Sequence, residues 1–416
     1  MPTDKTSKTL KTLAWLITVF ASIVLLQVSY FALKDLPKTN VPNQPAVPMK
    51  AVITEIVSRE DTPYSLDGSS EMSELTITFN ARLLDGYRKG ETVTAIQSID
   101  GFLPAGSQHE VEKGSRVILL EGYDPTSSYG YTFGDFLRTD ILFWLLMAFF
   151  IALLIFGHFK GLNTIISLTL TCAAIFMVFI PSILAHQNIY IYSTLTCLYI
   201  IIMTLLIVNG YNRKTFVAIA GCFSGVLIAG VLTLIFTNIL HTSGVMDDKS
   251  LYLANLGSGE LDLKGIVFAG IIIGAVGAIM DVAMSLAASL HELCLKVEKP
   301  TFKLLMTSGI TIGRDMMGTM ANTLVLAYIG SSLSMVVLLS AYNDNLLQVL
   351  NREMIVTEIL QGLVGSIGIL LTIPLTSFLA AAIFPAMKKS HQMELADNAI
   401  VLPETDPKND ENDNSL

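Results

Sequence analysis

The sequence predicts an α-helical polytopic membrane protein with about eight transmembrane helices and a small β domain, a barrel or a sandwich, outside the membrane. Of the 416 residues, 52% are hydrophobic and only 15% are charged, and the mean hydropathy is +0.59. Soluble domains carry about a quarter charged residues. Eight mostly apolar segments are each long enough to cross a hydrocarbon core of about 30 Å. This pattern excludes a cytosolic enzyme, a nucleic-acid-binding protein and a small secreted domain.

The first apolar segment, 12–33, follows a short N-terminal stretch, 1–11, that contains three lysines. A cleaved signal peptide also begins with lysines and an apolar run. Here the run is longer, and no small-x-small cleavage pattern follows Leu33. We therefore predict a retained signal anchor with a cytoplasmic N-terminus.

Residues 34–137 have a different character and predict the extracytoplasmic β domain. A Pro-rich linker comes first, and then short bursts alternate polar and apolar residues between turn-like glycines. The pattern indicates five or six strands. The phrase Glu112–Val117 has the form of a turn into a strand that is also met in OB-like and barrel-sandwich modules.

The membrane domain is predicted over 138–387, with an acidic cytoplasmic tail over 388–416. The positive-inside rule supports this layout with both termini inside. The basic residues that then fall on the cytoplasmic side, besides the N-terminal lysines, are Lys160, Arg213, Lys214, Lys296, Lys299, Lys303, Arg314, Lys388 and Lys389. The predicted spans after the anchor are 138–158, 161–185, 188–209, 215–240, 264–291, 317–340 and 356–385.

Polar residues with a possible function concentrate in the last three spans, 264–385. In the sixth span, small residues and one carboxylate recur at helical spacing on a single face: Gly270, Gly274, Gly277, Asp281 and Ser285. Glycines at this spacing predict close helix packing. Counted from Lys264, Asp281 lies past the midplane, roughly two-thirds of the way toward the cytoplasmic side. An ionised carboxylate there costs about 3 kcal/mol, so Asp281 is either part of a pathway or a neutral acid used in packing.

The segment 308–323 combines three glycines with hydroxyl, amide and charged residues. We interpret it as a re-entrant or broken helix beside a cavity. On the helix that follows, Asp315, Thr319 and Asn322 share a face, with Gly318 alongside. Gly313 and Arg314 come just before Asp315. Gly313 favours close helix packing, and Arg314 either neutralises an acidic side chain or anchors the helix at the cytoplasmic side.

The eighth span begins with Glu358, which is either simply solvated or lies at the outer mouth of a pathway. Gly362 and Gly365 continue its face as packing positions, and Pro374 predicts a kink. The pathway hypothesis thus joins Glu358 at the outside to Asp281, Asp315 and Asn322 in the inner half.

Three motifs resemble the YibE/F-like family of bacterial multipass membrane proteins. They are Gly274–Ser285, Gly313–Gly330, and Thr357–Leu360 with Gly365–Gly368. The order of an anchor, a β segment and a multi-span region is similar to that family over nearly the whole chain. The resemblance implies a bacterial inner-membrane location and a fold, but no substrate.

Two functions compete. The first is a transporter or channel that handles protons, a cation or another small solute in spans six to eight. The second is a non-transporting envelope assembly factor or sensor whose β domain binds an envelope partner or a second copy. An enzyme is not expected, because no protease, P-loop or dinucleotide motif is found in the sequence. Cofactors, metal sites, disulfides and nucleic-acid partners are not expected either, since the four cysteines lack ligand spacing.

Overall fold

The computed structural model describes residues 4–34, 47–65, 71–100, 109–122, 130–246, 248–255, 261–342 and 345–400. The chain forms two compact units. One is Val41–Ala152, and the other combines Met1–Asn40 with Leu153–Leu416. Parts of the predicted linker and of the acidic tail, 35–46 and 401–416, lie outside the described residues.

The first unit contains a closed five-stranded barrel, which decides between the predicted barrel and sandwich. Its strands are β1 Val47–Ser65, β2 Glu71–Leu83, β3 Thr92–Asp100, β4 Arg116–Glu121 and β5 Tyr131–Phe136. The strand order is β1-β2-β3-β5-β4 with closure of β4 onto β1. The β3–β5 pair is parallel and the others are antiparallel. This is the topology of a five-stranded Greek-key barrel of the OB type.

Strand periodicity explains the core of the barrel. Alternate residues of β2, from Ile77 through Phe79 and Ala81 to Leu83, are buried, as expected where successive side chains point to opposite faces. Two register shifts in β1, near Ile53 and Ile56, bend that strand, as bulges do. This long, bent strand can therefore pair with both β2 and β4.

Most of the described residues outside the barrel are helical, and most of these belong to long helices. The helices are α1 Asp4–Lys34, α2 Thr139–Ala174, α3 Ile180–Leu184, α4 Ile189–Asn209, α5 Arg213–Ile239, α6 Asp248–Asn255, α7 Leu263–Lys296, α8 Phe302–Ser331, α9 Leu333–Tyr342, α10 Leu346–Leu350 and α11 Glu353–Ile400. A π-helical turn, Ile175–Phe179, joins α2 to α3.

Among the residues that the structure describes, six helical segments are long and apolar enough to cross a membrane: Thr12–Lys34, Thr139–Leu184, Ile189–Asn209, Arg213–Ile239, Leu263–Lys296 and Glu353–Ala386. The second has 46 residues, and at about 1.5 Å per residue this is twice the length that one crossing needs. His158 interrupts it with non-helical backbone angles, φ 46° and ψ −124°. This break lies between the two spans that the sequence predicts at 138–158 and 161–185.

The expected re-entrant or broken helix over 308–323 is wrong. These residues belong to α8, which is continuous from Phe302 to Ser331. The side-chain oxygen of Thr301 caps it by accepting from the Leu304 N–H at 3.3 Å. The polar residues that suggested a break are instead on one face of a regular helix. α8 is absent from the six apolar segments, consistent with this polar content.

α11 lies against α5, α7 and α8 and organises the core of the second unit. It is helical through Pro374, where the sequence predicts a kink. Two of its threonines, Thr372 and Thr376, are fully buried. A Cβ on Gly225 or Gly221 of α5 would overlap their side chains. These glycines therefore allow α5 and α11 to approach closely.

Candidate functional site

A cavity of about 470 Å³, open on one side, lies between the middle of α7 and the second half of α8. Its lining is Ala278 and Asp281 from α7 and Thr319, Met320, Thr323, Leu324 and Ala327 from α8. The Asp281 carboxyl and the two threonine hydroxyls are the charged and hydroxylated groups in that lining. The structure therefore brings together two of the predicted pathway residues, Asp281 and Thr319.

The exposed face of α7 around this cavity contains no large apolar side chain. Between residues 265 and 294, all of which the structure describes, the exposed residues are Gly270, Gly274, Gly277, Asp281, Ser285, Ser289 and Glu292. By contrast, α5 exposes Leu227, Val231 and Ile235, as a helix in contact with lipid does. The α7 face is thus unlike a lipid-facing surface.

The neighbouring part of α8 has the same property. Between residues 305 and 325 its exposed residues are Thr307, Thr311, Arg314, Asp315, Gly318, Thr319, Asn322 and Thr323. Large apolar residues are exposed on α8 only at its two ends, at Phe302 and Leu304 before this stretch and at Leu326 and Ile329 after it. We call these exposed faces of α7 and α8 together the polar face.

The other predicted pathway residues lie on or near this face without lining the cavity. Ser285, Arg314, Asp315 and Asn322 are exposed. Among the described residues, no ion pair within 4 Å joins Arg314 to Asp281 or Asp315. Of the two interpretations of Arg314, neutralisation of an acid is therefore not found in this structure, and the role as an anchor on the cytoplasmic side stays a prediction.

A second cavity, of about 180 Å³, lies between α8 and α11. Glu358 and Gly362 line it together with Tyr328. Tyr328 also reaches α7, because its hydroxyl oxygen is 2.6 Å from the point that a Cβ on Gly274 would occupy. The Gln361 amide nitrogen is 3.4 Å from that same point. Tyr328 and Gln361 thus converge on α7 between the Glu358 cavity and the Asp281 cavity.

The predicted packing glycines divide into two groups. A Cβ on Gly313 would overlap Ile373, one on Gly365 would lie 2.8 Å from Leu324, and one on Gly362 would make an ordinary contact with Tyr328. The close packing expected at three others is not found: a Cβ on Gly270, Gly277 or Gly318 would meet no atom within 4 Å. These three are on the polar face, which no described element covers.

Thr323, Tyr328 and the Gly221–Gly225 pair are not among the residues predicted from the sequence. The pair has the Gly-x-x-x-Gly spacing of close helix contacts, so a signal was present. Thr323 is one residue beyond Asn322, and only the rotation of α8 relative to α7 shows which of the two faces the cavity. Gly309 was missed as well: a Cβ there would lie 2.7 Å from the Ser377 Cβ.

Comparison with known proteins identifies the helical region. The family model described as YibE/F-like protein matches residues 145–386. This range contains the cavity, the polar face and both helices that form them. Neither the curated proteins nor the solved structures provide a match to the chain. Because the family model covers more than half of the sequence, the chain belongs to the YibE/F-like family.

Proposed function

We propose that this protein is a transporter or channel-like membrane protein in which α7, α8 and α11 form a pathway for protons or a cation. One observation carries the proposal: the polar face around the Asp281 cavity exposes small, hydroxylated and charged residues but no large apolar ones. The same chain exposes Leu, Ile and Val on α5. The polar face therefore borders water or protein rather than lipid.

The carboxylate of Asp281, at the centre of the polar face, supports the proposal on energetic grounds. Asp281 is eighteen residues beyond the start of α7 at Leu263, and α7 has 34 residues, so Asp281 lies close to the middle of this helix. An ionised carboxylate in hydrocarbon at such depth costs about 3 kcal/mol or more. A water-accessible cavity removes most of this cost. Intramembrane acids with such access are typical of ion and proton pathways.

The polar groups follow one another along the helices. Glu358 and Tyr328 are among the residues around one cavity, whose surface is otherwise apolar, and Asp281 and Thr319 border the other. Nine residues of α8 separate Tyr328 from Thr319, about 14 Å. Asp315 is one further turn along α8. This order supports a pathway from Glu358 through Asp281 toward Asp315, with no catalytic group required.

Ion flux into proteoliposomes tests the proposal. We expect a pH- or cation-dependent flux with the wild-type protein and its loss with Asp281→Asn. The matched control is Glu298→Gln, which removes a carboxylate from the loop after α7 and should retain the flux. Equal flux in wild-type and Asp281→Asn liposomes would contradict the proposed pathway.

We also propose eight crossings in a bacterial plasma membrane, with both termini inside and the barrel outside. The break at His158 divides the 46-residue helical segment into two crossings, and α8 supplies the other crossing beyond the six apolar segments. The distribution of lysine and arginine supports the orientation.

Cysteine labelling in intact cells tests this topology. Cys172 is exposed and is first replaced by serine. We expect a membrane-impermeant maleimide to label Tyr87→Cys in the barrel from outside, and to label Lys299→Cys only after the cells are opened. Labelling of Lys299→Cys in intact cells would reverse the orientation.

A second function is supported by the barrel. Greek-key barrels of the OB type bind oligonucleotides and oligosaccharides on exposed strands and loops. The rim of this barrel holds a cluster in which the hydroxyls of Tyr87 and Tyr131 both donate to Glu121 Oε1, at 2.5 and 3.2 Å. Arg88 lies over the Tyr131 ring. An envelope assembly factor or sensor would use such a surface to bind a partner.

Deletion distinguishes the two functions in cells. If the barrel is the functional part, removal of residues 50–125 abolishes the cellular function, whereas Asp281→Asn reduces only the amount of folded protein. If α7 and α8 form the functional pathway, Asp281→Asn abolishes the function at normal protein levels.

A further inference from the structure

We propose that the Asp281 cavity is a binding site for a monovalent cation, with the Asp281 carboxylate and the hydroxyl oxygens of Thr319 and Thr323 as its ligands. The inference rests on the proposed function and names the class of ion that the pathway takes. Thr323 is not one of the pathway residues predicted from the sequence, and its place in this site is known from the structure alone.

The hydroxyl groups of Thr319 and Thr323 donate their hydrogens to backbone carbonyl oxygens of α8. Thr319 Oγ1 donates to the Met316 carbonyl oxygen at 3.0 Å. Thr323 Oγ1 directs its single hydrogen to the carbonyl oxygens of Thr319 and Met320, at 3.0 and 2.9 Å. With their hydrogens used within α8, both hydroxyl oxygens can offer only lone pairs to the cavity.

The side chains that line the cavity include no N–H donor that would attract an anion. The lining residues are Ala278, Asp281, Thr319, Met320, Thr323, Leu324 and Ala327, and none of these side chains carries an N–H group. An anion would therefore meet only a carboxylate and lone pairs. A cation would be coordinated by oxygen atoms, the ligands that alkali and alkaline-earth ions prefer.

The charge of the lining favours a monovalent cation. One carboxylate lines the cavity, and it balances one positive charge. A divalent ion would keep one positive charge that no carboxylate of this lining balances. Among the described residues there is also no group of three or more His, Cys, Asp or Glu side chains that could hold a metal ion. The site is thus suited to a monovalent ion such as Na⁺.

Thermal unfolding of the purified full chain in nanodiscs provides the test, with NaCl exchanged for N-methylglucamine chloride at constant ionic strength. A ligand that binds only the folded state raises the unfolding temperature with its concentration. We expect a saturable rise with Na⁺ for the wild type. Thr323→Val should weaken the apparent Na⁺ affinity about tenfold or more, as expected for the loss of a contact with a charged group.

A matched control is available on the same helix. Thr311 is exposed and its Oγ1 donates to the Thr307 carbonyl oxygen at 3.0 Å, but it does not line the cavity. Thr311→Val should therefore retain the Na⁺ response, and Thr323→Ser should restore it relative to Thr323→Val. The Thr323 and Thr311 variants test the Na⁺ site even if Asp281→Asn fails to fold.

Three results would overturn the inference: no Na⁺ response in the wild type, an equal response in Thr323→Val, or a larger response to Ca²⁺ than to Na⁺. The first result together with a proton flux would leave the transporter proposal intact and assign the cavity to protons alone. A Na⁺ response without flux in liposomes would support the site and contradict the transporter proposal.

Discussion

Gly313 of α8 lies directly against Ile373 of α11. A Cβ on Gly313 would overlap the Ile373 side chain and would lie only 3.1 Å from the Ile373 Cβ. Ile373 is buried and branched at Cβ, and α8 contacts α11 extensively. Neither helix can move away without losing this packing, so the contact holds α8 in position beside the Asp281 cavity.

Gly313→Ala is therefore expected to destabilise the protein. Overpacking of this kind costs about 1–3 kcal/mol, against which the better helix propensity of alanine returns up to about 1 kcal/mol. Gly318→Ala is the control, because a Cβ there would meet no atom within 4 Å. Thermal unfolding in detergent measures both. Equal unfolding temperatures for the two variants would contradict the packing argument.

Gly274→Ala is expected to change transport through Tyr328. The added methyl group would lie 2.6 Å from the Tyr328 hydroxyl, so the ring must move from its place between the two cavities. We expect the flux in proteoliposomes to rise, because the convergence of Tyr328 and Gln361 on α7 narrows the pathway. Gly277→Ala, on the same face with open space around it, should have the wild-type flux. A flux that is identical in both variants would remove Tyr328 from the pathway.

Gln97 is expected to be a stabilising residue of the barrel. Its carboxamide is buried, its Nε2 donates to the His109 carbonyl oxygen at 2.9 Å, and its Oε1 accepts from the Val111 N–H at 2.9 Å. Gln97→Leu leaves that buried N–H unpaired, which costs about 1–3 kcal/mol. Faster limited proteolysis of the barrel in the full chain would show this. An exposed residue of β1 supplies the control, since Glu55→Gln should be cleaved at the wild-type rate.

Tyr87 is expected to titrate above the ordinary range of tyrosine. Its hydrogen bond to Glu121, assisted by desolvation and by the nearby negative charge, raises the pKa of Tyr87 to about 12. Because the folded-state pKa is raised, the stabilisation from this hydrogen bond is fully present below about pH 10. It is lost as the pH rises toward 12.

Ultraviolet absorbance of the phenolate measures this titration, as the difference between wild type and Tyr87→Phe. Replacing the carboxylate in Glu121→Gln should return the pKa of Tyr87 toward 10. A Tyr87 titration that is the same with and without the Glu121 carboxylate would show that the two side chains do not interact in solution.

Several elements could be predicted from the sequence because a local signal was sufficient. Strand alternation at Leu75–Phe79 and Arg116–Leu120 predicted β2 and β4, and long apolar runs predicted the membrane helices. Closure of the barrel could not be predicted, since pairing of β3 with β5 and of β4 with β1 depends on contacts between distant segments.

The region 308–323 shows where local reasoning fails. Glycine and polar residues there suggested a broken helix, because each destabilises a helix exposed to lipid. The structure has a regular helix in which Gly309 and Gly313 face α11 while Arg314, Asp315 and Asn322 are on the opposite, exposed side. Tertiary packing of the glycines thus compensates for their weak propensity.

By itself, the sequence predicted a multispan membrane protein that resembles the YibE/F-like family, and it singled out Asp281, Thr319 and Asn322 among the polar residues of the last three spans. Composition and periodicity carry that information, because hydrophobic length and helical spacing are local properties. Only the tertiary structure decided that Thr323 rather than Asn322 lines the cavity and that Gly270 and Gly277 pack against no described residue. Those outcomes depend on how α7 and α8 are rotated toward each other, which is set by their packing on α11.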